Sequence, residues 1–130
     1  MNDRYLFRGK RADNGEWVTG YLAFIHTDTP DKARLFSPVI TRAFDVMTAT
    51  LGQSTGLKDK NGNTVYEGDK VKYRVTSRKI IDGTVIWNAA TASLCIAETS
   101  SKRDTLWELR DTEMDVEVVG NIHDNDITLN

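Results

Sequence analysis

Asp59-Lys60-Asn61-Gly62-Asn63 is the stretch of this 130-residue chain whose residue types come closest to a cation cage. Oxygen-bearing side chains alternate there around a glycine, inside the longer run "TGLKDKNGNTVYEGDKVKY". A helix-flanked calcium loop needs oxygens at its first, third and fifth positions, glycine at the sixth and a bidentate glutamate at the twelfth. Counted from Asp59, Asn61 and Asn63 meet the third and fifth positions. Glycine falls at the fourth, Thr64 takes the sixth, and Lys70 puts a cation where the glutamate belongs. The same letters need only Asn61-Gly62 at the tip of a hairpin, since Asn-Gly tolerates the positive φ of tight turns. The stretch reads as a turn, and neither a metal nor another cofactor is expected.

Other chemistry-bearing residues are sparse. His26 and His123 are the two histidines and Cys95 is the single thiol, too few for a zinc site. No G-x-S-x-G elbow occurs, and Cys95 in "SLCIAE" reads as a small buried hydrophobe. The carboxylates of "ELRDTEMDVE" read as a solvated face rather than an acid/base pair. "FRGKR" sets Arg8, Lys10 and Arg11 around a glycine and could touch phosphate, although it lacks the spacing of a phosphate-cradling loop. Lys70, Lys72, Arg74, Arg78 and Lys79 could line a basic groove, or form a charged strand edge that discourages aggregation. Trp17, Trp87 and Trp107 read as core anchors; a base-stacking platform is the sharper alternative and needs exposed rings beside cations. Arg8, Lys10, Arg11, Lys70, Lys72 and Arg74 are therefore the candidate contacts for a nucleic acid or a partner. No catalytic residue is nominated.

The elements that position these residues are strands. "RYLFRGK" and "EWVTGYLAFIH" flank the turn "ADNGEW". In the second, Trp17, Thr19, Tyr21, Ala23 and Ile25 fall on one face and Val18, Leu22 and Phe24 on the other, which predicts packing on both sides. "LFSPVITRAFDVM" gives short strands interrupted by Pro38, which favours an edge. "TATLGQSTGL" reads as a bend that divides an N-terminal β lobe, 1–56, from a second lobe, 57–130. In "DKVKYRVTSR" Val71, Tyr73 and Val75 alternate with Lys70, Lys72 and Arg74, the pattern of a half-buried antiparallel strand. "IIDGTVIW", "SLCIAE", "TLWELR" and "DVEVVGNI" come next. Such closely spaced strands predict a small closed barrel or a strongly bent sheet. The fold class is all-β, built of antiparallel sheets with hairpins.

A hydrophobic fraction of 39% suits an ordinary globular chain, and argues against disorder. The charged start and the absence of a long apolar run predict no secretory leader and no membrane span, hence a cytoplasmic protein. The formal charge of −2 is unevenly spread. Residues 1–97 hold 14 Lys/Arg against 10 Asp/Glu, whereas residues 98–130 hold 3 against 9. The acidic end repels phosphates and the basic remainder attracts them.

"FRGKRADNGEWVTGYL", "TLGQSTGLKDKNGNTVYEGDKVKY", "GTVIW" and "EVVGNIHDN", in that order, resemble the landmarks of the YopX family. These are small proteins of unknown function from phages, prophages and mobile elements of bacteria. The block from Gly52 to Val71 is the most specific part, with Ser54 as a departure where an aromatic residue is more usual. The resemblance implies an all-β protein whose C-terminal half is a small SH3-like barrel packed on the N-terminal lobe, assembled as a homo-oligomer. It carries over no catalytic residue. The function read from the sequence is a non-enzymatic accessory protein of a bacterial phage or prophage, self-associating and binding a phage or host protein. The alternative is a nucleic-acid-binding small β-barrel. An enzyme has no constellation of residues behind it.

Overall fold

The computed structural model describes residues 5–99, 106–108 and 116–124. The chain forms two compact units, residues 1–54 and 55–130. Both are built from antiparallel strands, so the all-β reading holds. Among the described residues no helix is long and apolar enough to cross a membrane.

The first unit is a meander: β1 (Leu6–Lys10), β2 (Trp17–Ile25), β3 (Lys32–Ser37) and β4 (Arg42–Met47), each paired with the next. A single 3₁₀ turn at Thr48–Thr50 leads into β5 (Gly52–Lys58), whose first residues pair with β1 on its other edge. "TATLGQSTGL" is thus mostly strand, not the bend its glycines suggested. Ala33, Leu35 and Val46 form a fully buried core against Phe7, Val18, Leu22 and Leu51. The meander also closes on itself. Arg11 bridges Val46, and the Ala12 N–H donates to the Asp45 carbonyl at 2.9 Å. Beside them the Lys10 N–H donates to Thr50 Oγ1 at 2.8 Å.

The alternation read in β2 breaks near its end. A register shift between Leu22 and Phe24 places Leu22 opposite Leu35 but Phe24 opposite Arg34. One extra residue in a strand reverses the facing of every residue after it. Phe24 therefore leaves the side it would share with Leu22, and Ala23, Phe24 and Ile25 are exposed rather than packed on two faces.

In the second unit the rest of β5 and β6 (Thr64–Tyr66) precede a five-stranded sheet. Its strands are β7 (Asp69–Thr76), β8 (Lys79–Asn88), β9 (Ser93–Glu98), β10 (Leu106–Glu108) and β11 (Val116–Asn121). Their order is β10-β9-β8-β7-β11. Register shifts interrupt the pairs β7–β8 and β7–β11, and such bulges bend a sheet locally. Val65, Val71, Ile81, Val85, Ile96 and Val116 form the buried core of this unit, with Tyr73, Val75, Leu94, Trp107 and Val118 packed against it. Burying each such side chain contributes about 1.5–3 kcal/mol, enough to make this cluster the main source of the unit's stability. Gly83 lies inside β8.

Both Asn-Gly turns form, with a difference. The positive φ sits on the glycine alone, +76° at Gly15 and +83° at Gly62, and neither Asn14 nor Asn61 adopts it. The Gly62 N–H donates to the Asp59 carbonyl and the Asp59 N–H to the Asn63 carbonyl, the pattern of a three-residue loop with a glycine bulge. The Asn14-Gly15 loop is longer, closed by Gly15 N–H to Arg11 carbonyl and Arg11 N–H to Glu16 carbonyl.

Gly20 is a close-approach position. A Cβ built there would lie 2.4 Å from the Phe36 carbonyl oxygen, a backbone atom that cannot swing away. Gly20→Ala is expected to destabilise the chain by at least about 2 kcal/mol. Gly120→Ala, where no heavy atom lies within 4 Å of the added carbon and φ is not positive, is expected to change stability by no more than about 0.5 kcal/mol. Paired urea melts measure the difference; equal effects at the two sites contradict the packing account.

Candidate functional site

The stretch richest in ligand-type oxygens is wired to the backbone. Asp59, 2% exposed, accepts the N–H of Asn61 at 3.0 Å and of Asn63 at 2.8 Å on Oδ1. Its Oδ2 accepts the Val118 N–H at 2.9 Å, 59 residues along the chain. The Lys60 N–H donates to the Val116 carbonyl next to this bond. Burial disfavours the charged carboxylate, but the N–H groups of Val118, Asn63 and Asn61 outweigh it and hold the pKa below the usual carboxylate value. A carboxylate ringed by N–H donors is already neutralised by dipoles, so the stretch is a turn clipped to β11. Asp69, also buried, does a similar job. It accepts the Tyr66 N–H on Oδ2 and the Asn121 side-chain amide on Oδ1. Asn121 in turn accepts the His123 N–H.

The six candidate cations divide between the units. In the first, Arg8 and Lys10 share the outward face of β1 and bracket the Trp17 indole, at 4.7 Å and 5.4 Å from its centroid. Trp17 stands opposite Lys10 in the β1–β2 register. Arg11 points elsewhere: it donates twice to Asp13, at 2.9 and 2.6 Å, and lies over the Phe44 ring at 4.9 Å. In the second unit Lys70, Lys72 and Arg74 alternate along β7, in line with their sequence pattern. Lys72 pairs with Asp82 at 3.1 Å and faces Glu117 across β11, while Lys60 reaches Glu117 at 3.4 Å. Carboxylates on both neighbouring strands thus dilute the charge of that row.

The tryptophans part company. Trp107 is an anchor: it packs on the core, meets Tyr73 edge to face and donates its indole N–H to Glu98 at 3.0 Å. Trp87 is 52% exposed and does not anchor the core, because β8 carries it past the buried Val85–Ile96 pair. Cys95 is buried, as its neighbours suggested. Most of the acidic run "ELRDTEMDVE" lies outside the described residues.

One arrangement was not read from the sequence. An open cavity of about 370 Å³ in the first unit is lined by Arg11, Lys32, Arg34 and Arg42 together with Asp13, Phe44 and Asp45. Arg11 and Arg42 each sit 4.9 Å from the Phe44 ring centroid. Asp45 Oδ1 accepts from Arg34 Nε and pairs with His26 Nε2, both at 3.0 Å. The Arg34 bond, then the His26 contact, lowers the Asp45 pKa against the opposing effect of burial. The Lys32/Arg34 alternation in "KAR" and the Arg42/Phe44 spacing in "RAF" were readable signals, but the return of Arg11 to β4 was not.

A family model described as YopX protein matches residues 6–130, nearly all of the chain. The chain belongs to the YopX family. No curated protein matches it. The landmark block of this YopX chain now has a structural meaning. Gly52 and Gln53 pair with Arg8 and Phe7, Asp59 and Gly62 make the clipped turn, and Gly68 at φ +92° turns the chain into Asp69.

Asp59→Asn keeps the shape but turns an amide N–H toward backbone donors. It is expected to cost about 2–4 kcal/mol at neutral pH, since hydrogen bonds to a buried charge are the stronger kind. Because the folded pKa is depressed, this stability is full above the ordinary carboxylate value and lost as pH falls through the lower folded value. The gap between wild type and Asp59→Asn in urea melts should therefore shrink from pH 7 to about pH 2–3. A gap that is constant with pH refutes the assignment.

Proposed function

We propose that this YopX chain is a non-enzymatic accessory protein of a phage or prophage, which self-associates and binds a protein partner in the cytoplasm of the bacterial host. The observation that carries this reading is the β3–β4 turn, Pro38-Val39-Ile40-Thr41. Val39 is 88% exposed and Ile40 60%. Neither side chain suits a turn, where Gly, Asn and Asp relieve backbone or hydrogen-bond constraints. Thr41 adds a φ of +53°, a left-handed conformation that costs a β-branched residue about 1–3 kcal/mol. A turn that is strained and apolar at once is poorly suited to folding in isolation and well suited to insertion into a complementary surface. Phe36, at the end of β3 beside it, is also exposed and extends the apolar surface along the hairpin.

The unequal charge of the two ends of the chain favours association of unlike surfaces, and a symmetric assembly is the usual outcome for such chains. Size-exclusion chromatography with light scattering tests the reading. The wild type is expected above the 14.6 kDa of one chain, and Val39→Asp with Ile40→Asp is expected to return it toward that mass with an unchanged far-ultraviolet spectrum. A strictly monomeric wild type at about 0.5 mM overturns self-association.

A second reading, a nucleic-acid-binding β module, is favoured by the Trp17 ring between Arg8 and Lys10. An aromatic face beside cations on a sheet is the platform on which single-stranded bases stack. Tyr21 and Phe36, opposite each other in the β2–β3 register, extend it. Titration of a labelled single-stranded oligonucleotide at low salt is expected, on this reading, to show micromolar binding that Trp17→Ala weakens about tenfold, given stacking of about 1–3 kcal/mol per base. Absence of binding at tens of micromolar protein rejects it.

A further inference from the structure

We infer that the cavity beneath the Arg11–Asp13 turn is a binding site for the phosphate group of a small molecule, a monoester or a short polyphosphate. Four cations line it, Arg11, Lys32, Arg34 and Arg42. Two carboxylates, Asp13 and Asp45, lie among them. Asp13 is taken by Arg11 and Asp45 by Arg34 and His26. Among the described residues, Lys32 and Arg42 have no carboxylate in ion-pair range. The lining therefore carries two positive charges beyond its own acids. A phosphate monoester brings about −1.5 to −2 at neutral pH and matches that surplus, whereas a carboxylate leaves half of it uncompensated.

The chemistry of the donors points the same way. A guanidinium has five N–H donors in a planar fork suited to phosphate oxygens. Arg11 commits two N–H donors to Asp13 and Arg34 one to Asp45, so each retains others. Arg42 is held over Phe44, as is Arg11. Two guanidiniums fixed on one ring lose little freedom when an anion arrives, which is the preorganisation that weak polar sites lack. The volume falls within the range of small-ligand pockets, and the site is open enough for a ligand to extend beyond its phosphate. Val39, Ile40 and Trp17 do not line the site, so it stands whichever reading of the function holds.

The test is titration of the full chain with pyrophosphate and, separately, with a nucleoside 5′-monophosphate, followed by calorimetry and by the arginine Nε–H resonances. Saturable binding is expected at about 50 mM salt, with the resonances of Arg11, Arg34 and Arg42 shifting together. Arg42→Gln is expected to weaken it at least tenfold. Lys79→Gln, an equal loss of charge on β8, is expected to change it less than twofold. Phe44→Leu, which keeps an apolar residue under the cations but removes the ring, is expected to weaken it several-fold. Binding to pyrophosphate alone assigns the site to free phosphates, and binding to both ligands assigns it to a phosphorylated metabolite. Equal effects of Arg42→Gln and Lys79→Gln would reveal a diffuse ion atmosphere and overturn the site. So would silent arginine resonances at about 10 mM pyrophosphate, or binding of a single-stranded oligonucleotide with neither small ligand bound.

Discussion

The second unit depends on one buried carboxylate. Asp59 gathers three backbone N–H groups, two from its own turn and one from β11. The local pair alone would shape a hairpin. The third bond, to Val118, registers that hairpin against a strand 59 residues away. Val116 and Val65, the core residues nearest in sequence to this clip, are both fully buried. A charge taken out of water is tolerable only because dipoles replace the water on every side. Remove the β11 contact and the desolvation cost of Asp59 stands unbalanced, so the clip and the core above it form together or not at all.

Asp69 repeats the device one strand later. Its partners, the Tyr66 N–H and the Asn121 amide, tie the β6–β7 turn to the far end of β11. The Ile122 N–H donates to the Gly68 carbonyl and the Gly68 N–H to the Val85 carbonyl, which extends the tie across β8. Two aspartates ten residues apart thus hold both ends of β11. The strand otherwise has a single sheet neighbour, β7, and an edge strand with one neighbour is the weakest place in a sheet.

Much of this was legible in the letters. The strands from β7 onward are readable from alternation, because Val71, Tyr73 and Val75 recur at every second position and face one core. The turn at Asn61-Gly62 is readable from its chemistry. Periodicity could not show the features that depend on contacts distant in sequence. The bulge that turns Phe24 outward is a property of the β2–β3 pair. The strand hidden in "LGQSTGLK" has no alternation of its own and is fixed by pairing with β1. Trp87 looked like an anchor because its neighbours are apolar, but it lies two residues beyond the buried Val85–Ile96 pair and is half exposed. The cavity around Phe44 was illegible for the same reason: it needs Arg11 to return to β4, a contact that rests on the isolated bridge to Val46. Of the cations that the sequence singles out, Arg8 and Lys10 converge on one ring, while Lys72 is answered by acids from both flanking strands.

The division of labour along the chain is a consequence of these contacts. Several of the residues that make the family recognisable, Asp59, Gly62, Gly68 and Asp69, are consumed by turns and clips, and both carboxylates accept from N–H groups of the fold. A group already saturated with intramolecular partners has nothing left to offer a ligand without breaking the fold. A binding surface in such a chain calls for side chains that the turns and clips do not consume. Those are found at the apolar turn of Val39 and Ile40, at the bracketed Trp17 and in the cation-lined cavity, all three in the first unit. The landmark of the first unit, "FRGKRADNGEWVTGYL", itself contains Arg8, Lys10 and Trp17, so there the recognisable stretch also carries a ring flanked by cations. The signature spans both units, and it is spent differently in each: on fold-setting turns in the second, and on a ring-and-cation cluster as well in the first.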